Sequence, residues 1–183
     1  MADSNSYGLF CVDPGRTTGI AKVLVNCSQP TVASTVRRAQ RKGLLETHEL
    51  KGEWYEQAWD IFTQFSDWQF NLSIERAVIP GPNVKLVLEG FTIRELGADI
   101  TPLKIQTGIK QVMRAAMEGK RPPKISKTNV EYDRTVIVQG PSEQQFCSDE
   151  MLKDWGLWRK SPHERSALKH MAKRIDRILE GDR

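Results

Sequence analysis

The sequence has no apolar run approaching the roughly 20 residues that cross a bilayer, which excludes an integral helical membrane protein. Cysteine is scarce: Cys11, Cys27 and Cys147 are the only three. Their spacing fits neither a disulfide framework nor a zinc site, so they read as reduced thiols packed in the core of a cytoplasmic protein. There is no internal repeat and no low-complexity segment. The first six residues carry an acid and no basic cluster, so they do not read as a secretory signal. With 13 glycines and 9 prolines in 183 residues, 39% apolar and 27% charged, the chain is neither collagen-like nor wholly disordered. This length suits one domain, spanning 1–183, with its own core.

What is present is an uneven charge. The total is 27 basic against 23 acidic side chains, a net of +4. Residues 1–103 hold 10 basic and 12 acidic groups, and residues 104–134 hold 8 and 3. Residues 135–150 hold no basic and 3 acidic groups, and residues 151–183 hold 9 and 5. Two basic blocks therefore sit on a near-neutral body. Such blocks can neutralise phosphates and release counterions. Lysines that merely keep a surface soluble would give the same count.

Apolar patterning predicts the elements. Tyr7–Val12 reads as a buried strand ending in Asp13-Pro14-Gly15, and Gly19–Val25 as its hairpin partner. A third strand is expected within Thr31–Leu50, with a basic turn at Arg37–Gly43. Apolar residues at 54, 58, 61, 62, 65, 68 and 72 make one helical stripe, with the tryptophans as packing. Ile79–Pro82 breaks the chain. Val84–Leu88 reads as a central strand ending at Glu89-Gly90. A helix is expected over Pro102–Met117, a loop over Lys120–Lys127 and a strand at Thr135–Val138. The last helix begins at Ser161-Pro162-His163-Glu164, which has the pattern of a capping box. Strands first, then alternating strands and helices, indicate an α/β layered domain.

Two acids stand out. Asp13 and Glu89 each end an apolar strand and precede a tight segment. An acid beside a buried strand needs a reason to be there. If the strands are neighbours, the carboxylates converge and offer hard oxygen ligands to Mg²⁺ or Mn²⁺. A basic surface beside them makes phosphodiester hydrolysis the natural chemistry. His163 sits in the first turn of the last helix, with Ser166 at i+3 and His170 at i+7. Glu164 is explained by the cap without any metal.

These residues match a known pattern. Asp13-Pro14-Gly15-Arg16-Thr17-Thr18-Gly19-Ile20-Ala21 resembles the first-strand motif of RuvC-like Holliday junction resolvases, in the ribonuclease H-like superfamily. Val87-Leu88-Glu89-Gly90-Phe91 resembles the second acidic strand of that family. Asp149–Trp158 followed by His163–His170 looks like the C-terminal part of its phage and actinobacterial branch. The resemblance implies a mixed five-stranded sheet flanked by helices. It implies a metal-dependent nuclease acting on four-way DNA junctions, with Mg²⁺ or Mn²⁺ as cofactor. It makes Asp13, Glu89 and His163 the catalytic and metal-binding set, with Ser166 or Glu164 as a further ligand. Lys104, Lys110, Arg114, Lys120, Arg121 and Lys124 would hold the DNA, with Phe91 near the junction centre. A symmetric junction invites a homodimer. If phage-encoded, the protein would act in the cytoplasm of a bacterial host.

The chain departs from the pattern twice. Where the family's last helix usually reads His-x-x-Asp-Ala, Ser166 replaces the Asp, and the site loses a negative charge. The segment Pro141-Ser142-Glu143-Gln144-Gln145 lacks the lysine that often follows the last strand. Two further readings compete with the nuclease. One is a DNA-binding module of the same fold that does not cleave. The other is a phosphotransferase of the actin and sugar-kinase type, whose phosphate loop is close to Asp13–Thr17. The second needs two such domains, and Gly15–Gly19 has no Gly-Lys-Ser/Thr loop.

Overall fold

A computed structural model of the chain describes residues 6–27, 29–75, 83–90, 99–117 and 136–181. Five strands form one sheet: β1 (Ser6–Asp13), β2 (Thr17–Asn26), β3 (Leu45–Lys51), β4 (Asn83–Glu89) and β5 (Val136–Gln139). Their order is β3-β2-β1-β4-β5. The first three strands form an antiparallel meander, whereas β4 and β5 lie parallel to β1 and to each other. The helices are α1 (Val32–Arg41), α2 (Trp54–Glu75), α3 (Thr101–Met117), α4 (Asp149–Asp154) and α5 (Pro162–Leu179). A 3₁₀ turn covers Pro141–Phe146.

The central strands are covered on both faces, which is why they read as unbroken apolar runs. Alternation sends Leu9 and Cys11 of β1 toward α1, α4 and α5, where they join Val36, Leu168, Met171 and Ile175. Phe10 and Val12 point the other way, into a core with Ile61, Phe62 and Phe65 of α2 and Ile105 and Ile109 of α3. Phe10 meets Phe65 edge to face at 5.8 Å between ring centres, and Trp68 at 6.1 Å. The tryptophan that the helical stripe contributes here is packing. Cys11 and Cys147 are buried and all three thiols are unpaired. Burial pushes the Cys11 thiol far up, so it stays protonated and inert. Among the described residues no helix is long and apolar enough to cross a membrane.

The expected strands and the three long helices are present, and β3 lies at the end of the window expected for it. One expectation is corrected. Arg37–Gly43 is not a turn between strands: Arg37–Arg41 form the end of helix α1, with Lys42 as its C-cap. Val32, Val36 and Ala39 form its buried stripe, and Thr31 and Ser34 cap its start reciprocally. The run of cations masks a stripe of only three apolar residues, and the cap uses serine where glutamate or glutamine is usual. The breaks expected at Ile79–Pro82 and Lys120–Lys127 lie outside the described residues.

Candidate active site

Parallel pairing of β1 with β4 brings their C-terminal ends side by side, with Val12 opposite Leu88. The next residues are Asp13 and Glu89. Residues 76 positions apart thus become contacting carboxylates, because each strand ends where its apolar run ends.

Each acid is held by different groups. Glu89 is gripped from both faces of the sheet. Gln106 of α3 donates to its main-chain carbonyl. On the other face, Gln144 of the 3₁₀ turn donates from Nε2 to Glu89 Oε1 at 2.9 Å. The fully buried His170 of α5 places Nε2 3.7 Å from Glu89 Oε2, and its Nδ1 donates to Gln139 Oε1 at 3.2 Å. Gln144 Nε2 also lies 3.2 Å from His170 Nε2. The segment without the expected lysine therefore supplies an amide to the second acid.

Asp13 is met by the N-terminus of α5. His163 Nδ1 lies 3.3 Å from Asp13 Oδ2, and the His163 side chain is 39% exposed against 13% for Asp13. That helix start is tied to the sheet edge. Arg159 Nε donates to Thr47 Oγ1 at 2.9 Å, and Ser161 donates to the Glu49 carboxylate. Ser161 Oγ in turn accepts from the N–H groups of His163 and Glu164 at 3.1 and 3.3 Å. The close approach depends on Gly19, which pairs with Asp13 across the hairpin. A Cβ on Gly19 would lie 2.0 Å from the His163 carbonyl oxygen and 2.8 Å from the Glu164 nitrogen.

The electrostatics follow from crowding. Burial, and then the Glu89 carboxylate beside it, push the Asp13 carboxyl up to about 9, against a smaller opposing effect of the Ser166 hydroxyl. Burial also pushes Glu89 up, but the His170 imidazole, Asp13 and the Gln144 amide outweigh it, and the net shift is downward. Two carboxylates in contact oppose each other's ionisation, which is why the two shifts run in opposite directions. Ser166 Oγ is buried beside Asp13 without closing a hydrogen bond of its own. Among the described residues no three His, Cys, Asp or Glu side chains converge as a metal cluster. The donor set is therefore two carboxylates in contact and an unpartnered hydroxyl. That set suits a hard divalent cation, and is one charge poorer than three acids would be.

The other expected residues are dispersed. Glu164 lies near enough to His48 of β3 for its charge to act on that imidazole. Lys104, Lys110 and Arg114 are exposed along α3. The start of α3 is tied toward the site, because Arg16 in the β1–β2 turn pairs with Asp99 at 3.1 Å. Phe91, Lys120, Arg121 and Lys124 lie outside the described residues. Sequence reasoning missed Gln106, Gln139 and Gln144, and assigned His170 no role. Only the i+7 spacing of His170 from His163 was a signal.

The chain matches no protein-family model and no curated protein. Its structure is similar to Thermus thermophilus RuvC in complex with a Holliday junction substrate, at 15% identity and a TM-score of 0.51, over 96% of each chain. A second Thermus thermophilus RuvC structure aligns at 15% identity and a TM-score of 0.46, over 95% of this chain and 96% of that one. The fold is thus RuvC-like and ribonuclease H-like: a mixed five-stranded sheet flanked by helices.

Proposed function

We propose that this chain is a divalent-metal-dependent endonuclease that nicks branched DNA, acting as a Holliday junction resolvase of the RuvC type. The observation that carries the reading is the crowded pair of Asp13 and Glu89 at the ends of adjacent parallel strands. Asp13 and Glu89 would hold Mg²⁺ or Mn²⁺, with Ser166 completing the set as a weak neutral donor. The bound cation would activate water and stabilise the leaving oxygen of the phosphodiester.

The chain's own residues supply the rest. Gln106, Gln144 and His170 fix Glu89, so its orientation is set before substrate arrives. His163, half in solvent and against Asp13, is placed to carry a proton to or from bulk water. Lys104, Lys110 and Arg114 on α3 would take phosphates of the junction arms, together with Lys120, Arg121 and Lys124, and Phe91 would approach its centre. One nuclease domain would span 1–183, and a twofold dimer would set two sites on opposing strands. Asp149–Trp158 and the last helix favour the phage and actinobacterial branch, and so the cytoplasm of a bacterial host.

A labelled four-way junction beside a matched linear duplex, with Mg²⁺, Mn²⁺ or EDTA, tests the reading. Paired nicks near the branch that need the cation and disappear in Asp13→Asn are expected. Cleavage that persists in Asp13→Asn removes the acid pair from the mechanism. A second reading rests on Ser166: with a hydroxyl in place of an acid, the fold would serve as a junction-binding module. Salt-dependent junction binding without cleavage under either cation is the result that favours it.

The two readings also diverge at one substitution. Ser166→Asp adds a third negative charge beside Asp13. Under the nuclease reading the Mg²⁺ concentration for half-maximal cleavage falls about tenfold. A metal titration followed by cleavage and by calorimetry checks this. No change in either removes Ser166 from the cation site.

A further inference from the structure

A second charged surface lies away from the acid pair. Helix α1 and the α4 segment enclose an open groove of about 870 Å³, lined by Arg37, Arg38, Arg41, Lys42 and Lys153 and by a single acid, Asp154. The four α1 cations are all exposed. They fall at i, i+1, i+4 and i+5, so Arg37 and Arg41 stack on one line and Arg38 and Lys42 on the next. Like charges at that spacing repel, and a helix that merely needs basic residues near its C-terminus gains little beyond the first. Among the described residues none of these side chains has an ion pair to a carboxylate.

The groove is also built rather than incidental. Arg37 Nη2 donates to the Asp154 carbonyl at 2.6 Å, and Gln40 Nε2 donates to the Gly156 carbonyl at 2.8 Å. These bonds clamp α1 to the end of α4 and the segment after it. On the opposite lip, Lys153 Nζ is held 4.7 Å above the Trp158 ring, which Arg165 covers at 4.4 Å. The α1–β3 connection sits beside Leu24, which donates its N–H to the Leu44 carbonyl at 3.0 Å. Val23 pairs with Leu45, four positions along β2 from Gly19 at the active end, on the order of 13 Å at strand spacing. A ligand filling this groove therefore does not occupy the acid pair.

We propose that the α1–α4 groove binds the sugar-phosphate backbone of a duplex DNA arm, outside the site of cleavage. It rests on the nucleic-acid reading above and names the surface that extends it. A row of exposed guanidinium and ammonium groups with one opposing acid suits a line of phosphates. The contact is to backbone only, so it adds affinity and arm length to the footprint and no sequence preference.

The test is a triple variant, Arg38→Gln with Arg41→Gln and Lys42→Gln. It leaves Arg37 and Gln40, the groove's structural bonds, in place. Fluorescence anisotropy in EDTA follows binding to junctions with long and with short arms across a salt series. Circular dichroism confirms that the variant folds, and a variant with the fold lost is replaced by the single changes. The variant is expected to bind the long-arm junction at least tenfold more weakly, with a salt slope shallower by about 2 to 3. Short-arm affinity and cleavage at saturating short-arm junction are expected to be unchanged. Equal long-arm affinity and slope in variant and wild type overturn the proposal while leaving the nuclease reading intact. Weakened long-arm binding by a protein that cleaves nothing supports the groove and overturns the nuclease. Wild-type protein that binds an acidic polypeptide and no DNA overturns both.

Discussion

Gly19→Ala is expected to damage both stability and activity although it adds a single methyl group. The added Cβ would sit 2.0 Å from the His163 carbonyl oxygen and 2.2 Å from its carbon, and both are backbone atoms that no rotamer change can move. Either β2 shifts, which its pairing with β1 and β3 resists, or the start of α5 lifts off the sheet. The helix is the weaker side, because Ser161–Glu49, Arg159–Thr47 and His163–Asp13 hold it there. A shift of about 1 Å breaks the His163–Asp13 contact and moves Ser166 away from the acids. Overpacking of this kind costs about 1–3 kcal/mol. A misplacement of about 1 Å at a reacting centre costs on the order of 100-fold in rate. Gly140→Ala is the matched control. Its Cβ would meet only the Ser142 hydroxyl, at 3.7 Å, and its backbone is extended, so neither melting temperature nor cleavage should change. Thermal melts and junction cleavage on both variants decide the matter. A Gly19→Ala protein with wild-type values for both would mean that the α5 start is not what places His163 and Ser166.

The same contacts show what the sequence could carry. The acids were legible because each closes an apolar run, and a buried strand that ends in a carboxylate is conspicuous. Parallel pairing of β1 with β4 was legible only as a condition on the site. His163 and Ser166 were legible through resemblance. The amides were not. Gln106, Gln139 and Gln144 carry no charge and obey no spacing; Gln106 and Gln144 bond to Glu89 directly and Gln139 holds the His170 beside it, from three elements that only the tertiary fold assembles. A glutamine in a sequence looks the same whether it faces water or fixes a buried acid. Helix α1 was hidden for the opposite reason. Its cations are so prominent that the stripe of Val32, Val36 and Ala39 beneath them went unread. Glu164 shows the limit of local reasoning in another way. Its neighbours in sequence suggested a cap or a ligand, yet the carboxylate that engages Ser161 is Glu49, from a different element.

Asp13→Asn is expected to abolish cleavage and, in the absence of a divalent cation, to stabilise the protein. In the unfolded chain an aspartate gives up its proton near pH 4. In the folded protein burial and Glu89 raise that point to about 9. Between those values the folded state binds a proton that the unfolded state has released, so stability falls as pH rises through the window. Asparagine keeps a neutral side chain of the same shape and removes this penalty. Glu89 remains ionised, because His170 and Gln144 still hold it. Its lowered pKa acts in the opposite sense, favouring the folded state above the ordinary glutamate range, and it is common to both proteins. The difference between wild type and Asp13→Asn should therefore be near zero at pH 4 and grow toward pH 8. There the variant should melt several degrees above wild type. Mg²⁺ should reverse the order: Asp13 and Glu89 together would hold the cation, so wild type would gain from it and the variant, one carboxylate short, would not. Melting curves from pH 4 to 8, in EDTA and in Mg²⁺, read both effects. A variant less stable than wild type at pH 8 in EDTA would show that Asp13 is ionised and well paired in the free protein, and the case for a cation at this acid pair would go with it.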